Sequence, residues 1–110
     1  PHMKKQHAGR IINVISTAGL TTKADRSVYH ASKWAITGFT RSLAMELSPF
    51  NIGVTGFYPG AMKTDFFKKA GLEKNMNEHM DLAEAVRCLE FIINTDASVS
   101  ISDLSIRPTE

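Results

Sequence analysis

The sequence predicts an α/β fold in which three parallel strands and their crossover helices form half of a doubly wound sheet. Two observations support this prediction. Apolar segments with the periodicity of strands alternate along the chain with segments that have the periodicity of helices. The segments between the predicted strands are also long enough for parallel pairing through right-handed crossovers.

The first predicted strand spans residues 10–16, a β-branched and almost uninterrupted apolar run that residues 17–19 bring to an end. Such a run is typical of a central strand that is buried on both faces of a parallel sheet. Residues 20–26 are polar and suit a surface loop. Ser27 then offers a side-chain oxygen that can cap the first free amides of a helix.

A long helix and a second strand come next. Apolar residues recur at helical spacing over residues 28–47, and Pro49 ends the pattern. Residues 51–58 are predicted to form the second strand, although their glycines weaken its pattern. Pro59 and Gly60 close this strand with a turn.

The remaining elements complete the alternation of helices and strands. We expect Thr64 to cap a short helix, and the charged segment from there to Met80 to be irregular. The next helix spans residues 81–94, with Asp81 as its cap. Residues 99–106 alternate apolar with polar, which predicts a strand at the edge of the sheet.

Composition places the chain among ordinary globular proteins. It has 110 residues, enough for one domain, of which 43% are hydrophobic and 22% charged. The formal net charge of +2 is small, and basic residues are scattered among acidic ones, which argues against nucleic acid or anionic lipid as partner. No apolar run approaches the length of about 18 residues that a membrane span needs. We therefore expect a small-molecule partner.

Cysteine and histidine residues favour neither a disulfide nor a metal site. Cys88 is the only cysteine, so no disulfide can form within the chain, which fits a reducing compartment and a cytoplasmic location. His7, His30 and His79 lack partners at the spacing of metal ligands, so no metal is predicted.

Three polar residues form a candidate site. Tyr29 and Lys33 are four residues apart on the predicted helix, so their side chains project from one face. Ser16 lies at the carboxyl end of a predicted parallel strand, where open α/β sheets bind ligands. Taken singly, the three could instead be a packed helix residue, a solvated charge and a strand-end cap.

Residues 12–19, 29–33 and 54–60, together with Thr64, resemble the second half of a short-chain dehydrogenase/reductase. The resemblance implies that residues 4–110 are the C-terminal half of a Rossmann-like domain. We interpret residues 1–3 as a tag remnant and leave them out of the fold.

The resemblance implies hydride transfer between NAD or NADP and a carbonyl or secondary alcohol. Tyr29 would pass the proton, Ser16 would hold the substrate oxygen, and Lys33 would hydrogen-bond the nicotinamide ribose. A phenol in water ionises only near pH ~10, and a neighbouring ammonium favours the phenolate. That chemistry explains why a lysine would accompany the tyrosine.

Cofactor contacts are implied at further positions. Pro59, Gly60 and Thr64 would bind the cofactor together with Tyr29 and Lys33. The glycine-rich phosphate turn of the family, its cofactor-selecting residue and its catalytic asparagine have no counterpart in this sequence. The preference between NAD and NADP and the identity of the substrate stay open.

Two hypotheses follow for the chain. It is the catalytic half of an oxidoreductase, inactive and unable to hold NAD(P) alone, or it is a non-catalytic folded fragment that acts in assembly or pairs with a complementary half. An uncovered edge of the first strand predicts a homo-oligomer. Trp34 and Phe39 fit either a subunit interface or the core.

Overall fold

Three parallel strands form one open sheet in the computed structural model, which describes residues 1–62 and 80–109. The strands are β1 (Gly9–Val14), β2 (Ile52–Pro59) and β3 (Asp103–Ile106), in the order β1-β2-β3. The predicted α/β fold with a parallel sheet is confirmed. The short helix predicted at Thr64 lies outside the described residues.

Three helices accompany the sheet in the described part of the chain: α1 (His2–Gln6), α2 (Ser27–Leu47) and α3 (Leu82–Ile93). Short 3-10 turns at Thr17–Gly19 and Ser48–Phe50 follow β1 and α2. Helix α1 was not anticipated, because the first three residues were left out of the fold.

The central strand is β2, which corrects the prediction that the first strand is central. Strand β1 pairs only with β2 among the described residues, from Gly9 opposite Ile52 to Val14 opposite Phe57. It is half-buried along most of its length, and Val14 is 55% exposed. Every residue of β2 except Gly53 is buried, because strands flank both of its edges and helices cover both faces of the sheet.

Of the three predicted helix caps, the two that lie among the described residues do not make the expected hydrogen bond. Ser27 is the first helical residue of α2, so Arg26 occupies the capping position and its side chain makes no capping hydrogen bond. Asp81 does occupy the position before α3, but its side chain does not make the capping hydrogen bond either. Strand β3 lies at the edge of the described sheet, as predicted, but is shorter than predicted.

Helix α3 covers one face of the sheet through an apolar cluster. Phe57 of β2 packs with Ala85 and Ile92 of α3, and these three side chains are almost completely buried. Ile12 of β1 and Leu104 of β3 pack against the cluster from the two neighbouring strands. Burial of these apolar side chains, each worth up to about 3 kcal/mol, holds α3 on the sheet.

Helix α2 covers the opposite face through buried hydroxyl groups. The Asn13 amide of β1 donates to Thr40 Oγ1 at 2.9 Å, and Thr37 Oγ1 donates to the carbonyl of Gly19 at 3.0 Å. Both threonines are at most 2% exposed. Because each polar group has a partner, burying them carries no large desolvation penalty.

Gly19 lets the 3-10 turn after β1 come unusually close to α2. A Cβ atom at this position would lie 2.5 Å from Thr37 Oγ1 and 3.2 Å from the backbone oxygen of Lys33. The turn that follows Ser16 is therefore held against the helix at a distance that no side chain would permit.

A polar connection joins α2, β2 and β3 on the same face. The Tyr58 hydroxyl donates to Asp103 Oδ1 at 2.9 Å, and Asp103 Oδ2 lies 3.7 Å from Arg41 Nη2 of α2. Tyr58 is fully buried, and a Cβ atom on Gly56 would lie 2.5 Å from its hydroxyl. Burial first, and then the hydrogen bond to Asp103, raise the pKa of Tyr58 above its ordinary value of 10.0.

Replacement of Gly19 by alanine should lower the free energy of unfolding by about 1–3 kcal/mol, because the new methyl group overlaps Thr37. Gly38→Ala is the matched control. Its Cβ would meet nothing within 4 Å, so this helix-interior change should stabilise the chain by about 0.5–1 kcal/mol. Urea denaturation followed by circular dichroism measures both. Equal stabilisation by the two substitutions would contradict the close approach at Gly19.

The stability of the chain should decrease at alkaline pH because of Tyr58. Since its folded pKa is raised above 10.0, the contribution is complete below pH 10 and is lost as pH rises through the folded pKa. Tyr58→Phe should cost about 1 kcal/mol at neutral pH and remove this part of the alkaline decrease. Tyr29→Phe, at the other tyrosine, should leave this alkaline decrease in stability unchanged. Urea midpoints measured across the pH range test this, and an unchanged pH profile in Tyr58→Phe would refute it.

Candidate functional site

A cleft of about 590 Å³ opens at the carboxyl ends of β1 and β2. Its walls come from the turn and loop after β1, the first turn of α2 and the residues after β2, and include Ser16, Tyr29, Pro59 and Gly60. The carboxyl ends of parallel strands are where open α/β sheets hold their ligands. Four of the six predicted site residues therefore line one cleft.

Ser16 is half-buried where the chain leaves β1. Its Oγ accepts a hydrogen bond from the amide of Ala18 at 3.1 Å, which caps the 3-10 turn. The interpretation of Ser16 as a cap is thus compatible with its interpretation as the hydroxyl that holds the substrate oxygen. An oxygen that accepts from the turn still has its own O–H to donate into the cleft.

Tyr29 and Lys33 lie on the first two turns of α2, with their side chains together. The Lys33 ammonium is 5.6 Å from the centroid of the Tyr29 ring. Tyr29 is 49% exposed, so it is not a packed core residue. Lys33 does not itself line the cleft, but its charge is within the range at which a cation interacts with an aromatic ring.

His30 and Trp34 anchor the loop that leads into α2. His30 Nδ1 lies 2.7 Å from the carbonyl oxygen of Thr21 and 3.1 Å from that of Ala18, and Trp34 Nε1 donates to Thr21 at 2.9 Å. Sequence reasoning missed this role. The partners are carbonyl groups of the main chain, so residue types alone carried no signal.

The segment after β2 is held by β3. The amide of Gly60 donates to the carbonyl of Ile106 at 2.8 Å, and a Cβ atom on Gly60 would lie 3.3 Å from the same oxygen. Pro59 is buried and Gly60 half-buried beside the cleft. The third predicted cofactor residue of this segment, Thr64, lies outside the described residues.

The described residues contain no group of three or more His, Cys, Asp or Glu side chains placed to hold a metal ion. Within residues 1–62 and 80–109, no helix combines the length and the apolar character needed to cross a bilayer. Cys88 is a free, half-buried thiol on α3.

Comparison with known proteins identifies relatives over almost the whole chain. The human dehydrogenase/reductase SDR family member 4 is 34% identical over 108 residues, which cover 89% of this chain and 39% of the relative. A betaketoacyl-[ACP] reductase from Bacteroides thetaiotaomicron has 33% identity and a TM-score of 0.77, over 96% of this chain and 43% of that one.

A closed serine dehydrogenase complexed with NADP+ superposes with a TM-score of 0.86 at 26% identity, over 98% of this chain and 47% of that structure. The chain thus spans less than half the length of each of these proteins. The family described as short chain dehydrogenase matches residues 1–75, which is more than half of the sequence. The chain belongs to the short-chain dehydrogenase/reductase family.

Proposed function

We propose that this chain carries the proton-transfer residues of an NAD(P)-dependent oxidoreductase that interconverts a carbonyl compound and a secondary alcohol. One observation supports the proposal above the others. Tyr29 and Ser16 line one cleft at the carboxyl ends of parallel strands, with the Lys33 ammonium beside the phenol ring. A proton donor, an oxygen-binding hydroxyl and a cation are groups that assist the reduction of a carbonyl by a hydride donor.

The bound nicotinamide would supply hydride to the carbonyl carbon, or accept it from the alcohol carbon in the reverse direction. In reduction, the electron pair of the C=O bond moves to oxygen, and the Tyr29 hydroxyl gives its proton to that oxygen. Ser16 donates a hydrogen bond to the same oxygen as negative charge develops there. In oxidation, the Tyr29 phenolate takes the proton of the alcohol.

Lys33 has two proposed tasks. Its positive charge beside Tyr29 stabilises the phenolate, which carries a full negative charge during each cycle. Its ammonium has three hydrogens to donate, and no carboxylate of the described residues forms an ion pair with it. It is therefore available to hydrogen-bond a ribose hydroxyl of the cofactor.

The described residues fit the nicotinamide end of NAD(P) but not its pyrophosphate. Lys33, Tyr29, Pro59 and Gly60 surround the cleft or lie beside it, as a ribose and a carboxamide would need. Gly53 and Gly56 lie inside β2, so neither belongs to a phosphate-binding turn ahead of a helix. We infer that a complementary dinucleotide-binding half is needed to hold the cofactor.

A second candidate function is assembly without catalysis. Strand β1 has a neighbour on one side only within the described sheet, and Val14 on it is 55% exposed. Trp34 and Phe39 of α2 are also exposed, at 43% and 61%, so core packing does not account for them. An open strand edge and exposed apolar side chains favour association, and we propose that the chain forms a homo-oligomer.

Tyr29→Phe should reduce turnover severely while leaving cofactor binding intact. The assay mixes the chain with a polypeptide that supplies a dinucleotide-binding half and follows NADH and NADPH oxidation with a carbonyl substrate. Loss of the general acid should reduce kcat by about 10²–10⁴-fold. Tyr58→Phe is the matched control, because its hydroxyl is directed to Asp103 and should not affect kcat. Turnover by Tyr29→Phe at the original rate would eliminate the proposed role.

The chain on its own should bind neither NADH nor NADPH and should sediment as a species larger than a monomer at tens of micromolar. Nucleotide fluorescence and analytical ultracentrifugation measure the two properties. Turnover by the chain alone would exclude the second candidate. A sharp monomer would contradict the proposed homo-oligomer. A mixture that folds with the complementary half but remains inactive would favour assembly without catalysis.

A further inference from the structure

The rim of the cleft carries two cations without acidic partners. Lys23 and Arg26 line the same cleft as Ser16 and Tyr29, and both are exposed. Within residues 1–62 and 80–109, no carboxylate lies within ion-pair distance of either side chain. Among the described residues that line the cleft, none is Asp or Glu.

Three of the other four arginines are engaged with partners, unlike most of the Arg26 guanidinium. Arg10 donates to the carbonyl groups of Thr95, Asp96 and Val99, and Arg41 and Arg87 form ion pairs with Asp103 and Glu84. Arg26 has a single hydrogen bond, from Nη1 to the carbonyl of its neighbour Asp25 at 3.1 Å. Most of its donors are therefore free for a ligand.

The loop that presents these cations is held in place by α2. The carbonyl of Thr21, two residues before Lys23, lies within hydrogen-bond distance of both His30 Nδ1 and Trp34 Nε1. Arg26 precedes Tyr29 by three residues and so lies about one helical turn from it. Because the main chain that bears both cations is tied to the helix that bears Tyr29, the distance from their Cα atoms to Tyr29 is limited before a ligand binds, which lowers the entropy cost of binding.

We propose that the substrate of this cleft carries an anionic group, a carboxylate or a phosphate ester, which Lys23 and Arg26 bind while its carbonyl or hydroxyl group lies at Ser16 and Tyr29. Cations that line a concave site concentrate an attractive potential for anions. Arginine also offers two parallel N–H donors that match a carboxylate or a phosphate. The placement of the reacting end rests on the proposed oxidoreductase function, but the anion site can be measured without turnover.

Trp34 makes this measurement possible, because it is the only tryptophan and its indole is bound to the loop at the cleft. Its fluorescence is recorded while the 110-residue chain is titrated with two matched pairs of compounds. The first pair is 3-hydroxybutyrate and its neutral amide, 3-hydroxybutyramide. The second is glycerol 3-phosphate and glycerol. The anion of at least one pair should bind about tenfold more tightly than its neutral counterpart. The pair with the larger difference in affinity identifies the anionic group.

Lys23→Gln and Arg26→Gln should each weaken binding of that anion by about three- to tenfold and leave the neutral compound unaffected. Arg87→Gln removes an equal charge from the exposed face of α3 and should change neither affinity. All three side chains are exposed, and urea midpoints verify that each variant remains folded.

The proposal is overturned if both anions bind no more tightly than their neutral partners, or if no compound binds up to about 10 mM. It is also overturned if Arg87→Gln weakens binding as much as the rim variants, since general charge would then explain the result. None of these outcomes affects the turnover assay of Tyr29→Phe. Failure of the anion site and failure of the oxidoreductase function are therefore distinguishable.

Discussion

The contact between Gly19 and Thr37 is the constraint on which the geometry of the cleft depends. Ser16 comes from the end of a strand, whereas Tyr29 and Lys33 come from a helix, so the two elements must be fixed relative to each other. Gly19 removes the atoms that would separate them, and the Thr37 hydroxyl donates to the carbonyl of the same glycine at 3.0 Å. A hydrogen bond and a missing Cβ atom thus fix the turn against the helix.

Helix α2 is the element that organises the cleft. It carries Tyr29 and Lys33 directly, and through His30 and Trp34 it holds the loop that presents Lys23 at the rim. The opposite wall, at Gly60, is fixed by a backbone hydrogen bond to β3. Rigid elements therefore support the side chains proposed to react, which is the arrangement that precise positioning of a substrate requires.

The fold class and the alternation of three strands with two long helices were predictable from periodicity and turn residues, and the structure confirms both. The position of each strand within the sheet was not predictable. Residues 10–16 read as the central strand because they are almost purely apolar, whereas β2 contains Gly53 and Gly56. Gly56 lies beneath Tyr58, where a larger side chain would displace a buried ring. Gly56 therefore reflects tight packing in a central strand, whereas the residue pattern alone makes the same segment look like a weak strand.

The sequence alone determined the strand and helix segments and the spacing of Tyr29 and Lys33 on one helix face, because these follow from local periodicity. Only the tertiary structure decided that Ser16, Tyr29 and Gly60 share one cleft and that the Thr21 carbonyl is bound by two side chains of α2. It also decided that Lys23 and Arg26 lie at the rim without acidic partners among the described residues. These facts depend on distances between different elements of the fold, and such distances are set by packing rather than by local residue pattern.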